Sequence, residues 1–368
     1  MVTSRGFRFL SKRPKFPPGS TSELGSWGGG ASLDNGRNGA LLQTNDDDDD
    51  DGRARTSSSN GGDEMNPLGD FVEGACRLLV RPGRAAYTVD QLVGGRDGRF
   101  VMNGQKMRRC DFVLPNARGD QLQASLYLEG EGLECASGKT CVVYLHGNCG
   151  CRLDANDVVR LLLPASISVC CFDFSGSGLS GGEYISLGAR EPADLKVIVT
   201  FLRTLGVTMI GLWGRSMGAV TALRYVHTER DLSISGILAD SPFTSLVELI
   251  HHLVGQKGIP RFATSAALFL INRRLRELGM DVNKVNTLES ARSCYVPVLL
   301  AHGDGDSLIP PSMSERIVEE IAGDAYLMIV EGDHNDLRPL KFQRAARAYF
   351  RALLKGGVKT PESLFLNI

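Results

Sequence analysis

The chain lacks any apolar stretch of the roughly 20 residues that a membrane-spanning helix needs. Its longest apolar run, around residues 263–271, stops at Asn272, Arg273 and Arg274. No transmembrane segment is expected, and any membrane contact is peripheral. A surplus of either charge is missing too: 41 Lys and Arg stand against 42 Asp and Glu, a net charge of -1. With no global field to gather nucleic acid, the expected partner is small and local. Nine cysteines include no Cys-x-x-Cys, and Cys149-Gly150-Cys151 is a single unpartnered pair. That excludes a structural zinc site and a disulfide framework, and it suits buried thiols in a reducing, cytoplasmic setting. Residues 172–182 are rich in glycine but lack the lysine of a P-loop and the spacing of a dinucleotide fingerprint. No metal and no cofactor is expected, and this loop reads as a tight crossover.

What is present is unevenly placed. Residues 1–65 hold 11 of the 43 glycines and the six-aspartate run Asp46 to Asp51, with too little apolar surface to offset the entropy of folding. They read as a disordered tail, and its basic start (Arg5, Arg8, Lys12, Arg13, Lys15) reads as a disordered end in preference to an organelle presequence. One domain is expected over residues 66–368, opening with a short amphipathic helix through Phe71, Val72, Ala75, Leu78 and Leu79. Two alternating stretches follow, Cys110 to Leu114 and Leu122 to Leu128, separated by a turn at residues 116–120, which predicts an antiparallel pair. The pattern then becomes unbroken apolar runs between helical stretches, as parallel strands buried on both faces require. Strands are predicted at 141–145, 168–172, 209–213, 236–239, 298–301 and 326–330. Helices are predicted through Leu195, Ile198, Val199 and Leu202 and through Phe342, Ala346, Tyr349 and Leu353. Residues 244–296, with two helix candidates, form an insertion at the sheet's carboxyl edge, placed to cover a pocket.

The chemistry gathers at strand ends. The predicted strand at 209–213 runs into Gly214-Arg215-Ser216-Met217-Gly218 and then into a helical sequence. In a G-x-S-x-G turn the serine sits on strained backbone, and the glycines let strand and helix approach. Ser216 is the expected nucleophile. An acid and a histidine must then follow it in chain order. Asp306 lies three residues past Gly303, with Asp304 its rival for the acid, free instead to cap the loop or bind backbone amides. After Asp306 a single histidine remains, His334, the expected base. Oxyanion donors are expected at the backbone of Met217 and of Asn148 in the loop after the first parallel strand. His146 and His302 read as loop-shaping residues, His227, His251 and His252 carry no partner spacing, and Asp240 is expected to satisfy loop amides.

Taken together, Leu-His-Gly-Asn (145–148), Phe-Asp-Phe-Ser-Gly-Ser-Gly (172–178), Gly-Arg-Ser-Met-Gly (214–218), Asp-Ser-Pro-Phe (240–243), His-Gly-x-x-Asp (302–306) and Gly-Asp-His-Asn (332–335) resemble the α/β-hydrolases. Within them, the chain is similar to the serine aminopeptidase-like hydrolases and the α/β-hydrolase-domain depalmitoylases over about residues 66–355. The resemblance implies a mostly parallel, doubly wound, eight-stranded-type sheet with antiparallel first strands, an acyl-enzyme route and no cofactor. It places nucleophile, acid and base on Ser216, Asp306 and His334. The expected substrate is a small acyl ester or thioester, or an acylated protein or peptide. The alternatives are a peptidase and a non-catalytic binding protein of the same fold. Depalmitoylases of this kind carry a lipidated, cysteine-rich amino-terminal segment, whereas the first cysteine here is Cys76 and no carboxyl-terminal prenylation signal is present.

Overall fold

The computed structural model describes residues 2–4, 7–12, 74, 80, 83–231 and 233–356. By contacts the chain divides into residues 1–15 with 68–368 and residues 16–67, and every described residue falls in the first group. Its centre is a parallel sheet of six strands: β6 (Thr140–Leu145), β7 (Ser168–Phe172), β8 (Met209–Arg215), β9 (Ile234–Asp240), β10 (Val298–Gly303) and β11 (Ala325–Val330). They lie in the order β7-β6-β8-β9-β10-β11. Every residue of β6, β7, β10 and β11 is buried, which is why these strands read as unbroken apolar runs.

β5 (Gln121–Glu129) joins β7 antiparallel, β4 (Gln105–Pro115) joins β5, and β3 (Arg99–Met102) closes that edge as a hairpin. The hairpin turns through Asn103 and Gly104, both at positive φ, the pairing that a two-residue turn demands. Helices cover both faces. Among the described residues they are α1 (Asn156–Leu162), α2 (Glu191–Thr204), α3 (Met217–Glu229), α4 (Leu246–Gly255), α5 (Arg261–Glu277), α6 (Thr287–Ala291), α7 (Pro311–Glu320) and α8 (Leu340–Lys355). The core divides into two apolar layers, one on each side of the sheet. The predicted α/β sheet with antiparallel first strands is therefore the observed one, and α4, α5 and α6 lie between β9 and β10.

The disordered-tail reading of residues 1–65 is corrected near its start. Phe7–Lys12 form β2, paired antiparallel along the whole of β11, with β1 (Val2–Ser4) beside it. Without β2, that side of β11 would present a row of unpaired backbone groups. Leu10 packs against the core, Lys12 Nζ donates to Ile321 O at 2.7 Å, and Arg8 pairs with Glu315. Composition averaged over 65 residues hid a six-residue strand. The predicted helix around residues 71–79 lies outside the described residues, apart from helical Gly74.

Candidate active site

Ser216 closes β8 and opens α3 with φ 51° and ψ -115°, a left-handed conformation that costs a residue with a Cβ a kcal/mol or more, on the order of 1–3. The neighbouring glycines explain how the chain tolerates it. A Cβ on Gly214 would lie 2.2 Å from Gly218 O, and one on Gly218 would lie 2.1 Å from Leu145 O. The elbow is held from behind by the Ser216 N–H, which donates to Asp240 O at 2.7 Å.

Asp306 and His334 come from the loops after β10 and β11. The His334 ring donates from Nδ1 to Asp306 Oδ2 at 2.7 Å, leaving Nε2 as its lone-pair nitrogen. Asp306 Oδ1 accepts the amides of Leu308 at 3.1 Å and Ile309 at 2.7 Å. Burial pushes the Asp306 carboxyl upward, but the contacts from His302, His334 and the Ile309 amide outweigh it and hold it well below the usual carboxylate range. Asp304 instead accepts the Gly332 amide at 3.1 Å, the backbone role left open for it.

Two arginines fasten the histidine loop, Arg215 to the serine turn and Arg338 to the end of β9. Arg215 Nη2 donates to His334 O at 2.7 Å. Arg338 places Nε 3.0 Å from both oxygens of Asp240, donates from Nη2 to Ser241 Oγ at 2.9 Å and from Nη1 to Asp333 O at 2.9 Å. Asp240, expected to satisfy loop amides, takes this guanidinium instead. Asp240 is only 3 % exposed, and the guanidinium offsets the cost of burying its carboxylate. Asp333 completes the set by accepting the Ser307 amide at 2.8 Å, which fastens the histidine loop to the acid loop.

The loop after β6 approaches from the other side, since a Cβ on Gly147 would lie 3.8 Å from Ser216 Cβ. Here His146 is fully buried. Its Nε2 accepts the Phe174 amide at 3.1 Å, so Nδ1 carries the hydrogen and donates to Gly147 O at 2.7 Å. That carbonyl also accepts Gly150 N–H at 3.0 Å. In a trans peptide the C=O and N–H point oppositely, so fixing Gly147 O turns the Asn148 N–H away from His146. Met217, the first residue of α3, has an N–H with no intrahelical acceptor. The glycine-rich loop is wrapped around Asp173, which accepts Arg152 N at 2.7 Å, Leu179 N at 2.8 Å and the Tyr87 hydroxyl at 2.7 Å.

Sequence reasoning missed Arg338, Arg215 and the relation of His302 to Asp306. His302 Nε2 lies 2.7 Å from Ile309 O and 3.1 Å from Asp306 Oδ2, so it donates there, and Nδ1 accepts from Ser314 Oγ at 2.6 Å. The four-residue spacing from His302 to Asp306 was visible, but the partner of Arg338 lies 98 residues away.

Comparison with known proteins bears on the fold and family. Residues 136–286 match the family described as serine aminopeptidase, S33. The chain is 31% identical to the uncharacterized protein YqkD of Bacillus subtilis over 238 residues, which are 62% of this chain and 74% of that one. It is 25% identical to Protein ABHD12B of Homo sapiens over 58% of each chain. The fold is similar to that of the Pyrococcus furiosus esterase Pf2001, with a TM-score of 0.55 and 22% identity over 75% of this chain and 98% of that chain. Among the described residues no helix is long and apolar enough to cross a membrane. With the elbow at Ser216, the loops of Asp306 and His334 and these likenesses in view, the chain belongs to the α/β-hydrolase superfamily.

Proposed function

We propose that this protein is a serine hydrolase that cleaves a carboxylic ester or thioester through an acyl-enzyme. Ser216 Oγ attacks the acyl carbonyl carbon while its proton passes to His334 Nε2. The oxyanion that forms accepts hydrogen bonds from the backbone N–H groups of Met217 and Asn148. Collapse breaks the bond to the leaving alcohol or thiol, which takes the proton from His334. Water then attacks the acyl-serine with His334 again as base, releasing the carboxylic acid and restoring Ser216. Asp306 holds the imidazole tautomer that leaves Nε2 able to accept.

One observation carries the reading: the 2.7 Å contact between His334 Nδ1 and Asp306, tied through Arg215 to a serine in left-handed backbone. A fold shared with an esterase adds support. A fluorophosphonate probe should label the parent protein at Ser216, and His334→Ala should abolish the labelling. Labelling that persists without His334 would sink the proposal. A panel of nitrophenyl esters, acyl thioesters and aminoacyl anilides then distinguishes ester or thioester cleavage from a peptidase, for which the anilides would be cleaved fastest.

A further inference from the structure

The insertion carries a surface that this chemistry does not use. On α5, Phe262 is 79 % exposed and Phe269 71 %. Seven residues apart, they share one helical face. Thr264, Leu268, Ile271 and Leu275 already supply the buried face of the same helix, so the two phenylalanines are not core residues displaced by a poor fit. Ile259, in the turn before α5, is 42 % exposed as well. Apolar groups this large, presented together to water, mark a contact surface.

The charge around them says what kind. From Lys257 to Asp281 the chain holds Lys257, Arg261, Arg273, Arg274 and Arg276 against only Glu277 and Asp281, in a molecule whose net charge is -1. Aromatic side chains flanked by a basic excess suit a surface that is apolar inside and anionic outside, which is the interface of an acidic phospholipid bilayer. The position also fits. Gln256 at the end of α4 donates from Nε2 to Ser307 O at 3.0 Å, which anchors the α4–α5 turn to the loop carrying Asp306.

We propose that α5 and the turn before it dock this protein on anionic membranes. Phe262, Phe269 and Ile259 enter the boundary between headgroups and acyl chains, and Lys257, Arg261 and Arg273 meet lipid phosphates. Docking would bring a membrane-borne acyl group to the mouth of the site. Binding itself does not depend on the hydrolase reading, because it is measured without turnover.

The test is flotation of the full chain with vesicles of phosphatidylcholine alone and of phosphatidylcholine with phosphatidylserine in equal amounts. The parent should float with the anionic vesicles. Phe262→Ser combined with Phe269→Ser should reduce partitioning by about tenfold or more, and Arg261→Glu combined with Arg273→Glu by about tenfold. Both variants should hydrolyse a soluble short-chain nitrophenyl ester at the parent rate. A protein that floats but cleaves no ester would defeat the hydrolase reading and leave docking standing. A parent that stays in solution, or a phenylalanine variant that floats as well as the parent, overturns the proposal. So does a parent that self-associates in sedimentation velocity while the phenylalanine variant does not, since that assigns the face to a second copy.

Discussion

Two regions meet at the carboxyl edge of the sheet, and they treat polarity in opposite ways. Around Ser216, charges are buried and multiply bonded: Asp240 takes Arg338, Asp306 takes two imidazoles and two amides, and His146 uses both ring nitrogens. In the insertion, phenylalanines stand in water, and α4 and α5 border a cavity of about 770 Å³ beside which His251 Nδ1 is buried without a partner. The first arrangement spends stabilisation on fixing geometry, as a site needs if donors and acceptors are to be in place before the substrate arrives. The second keeps apolar surface available for contact and is held to the domain along one helical face.

The contrast is best broken at its rigid end. Ser216→Ala should lower turnover of a nitrophenyl ester by about a thousandfold or more with little change in melting temperature. Equal rates would remove the serine from the chemistry. Next, Arg338→Met leaves Asp240 buried without its guanidinium. Breaking a buried pair of this kind costs about 3–5 kcal/mol, to be read as a lower denaturation midpoint, with activity falling as the histidine loop comes loose. A midpoint unchanged from the parent would show that Arg338 is not a strap.

The third prediction concerns pH. The Asp306 carboxyl is depressed in the folded state, so its stabilising contribution is complete above its unfolded pKa of about 4 and is lost as pH falls toward the folded value. The stability gap between the parent and Asp306→Asn should therefore be widest near neutral pH and shrink as the solution is acidified below about pH 4. A gap that stays constant down to pH 3 in urea titrations would mean that ionisation of Asp306 contributes nothing. At the other end of the comparison, Phe269→Ser should shift stability by no more than about 0.5 kcal/mol, because the ring contributes little to the core. A large loss would place Phe269 in the fold's packing and not at a contact face.

Much of this architecture was legible because fully buried parallel strands write themselves as continuous apolar runs. β6, β7, β10 and β11 were placed to within a residue or two in that way. β3 carried a signal that was overlooked, the Asn103-Gly104 turn, while β2 was submerged in a segment dominated by glycine and aspartate. At the site, Ser216 was marked by its glycines and His334 by being the last histidine. The choice of Asp306 over Asp304 rested on strand-end spacing, and the loop geometry separates them: one carboxylate faces an imidazole, the other a backbone amide.

The sequence alone determined the layered sheet, the strained serine turn and the chain order of the three side chains, because each follows from local patterning of apolar residues and glycine. Tertiary structure alone decided that Arg338 reaches Asp240, that β2 covers the edge of β11 and that Phe262 and Phe269 remain in water. Those outcomes depend on which distant surfaces come together, and neither the partner of a buried charge nor the exposure of an aromatic ring is encoded within one turn of helix or one strand.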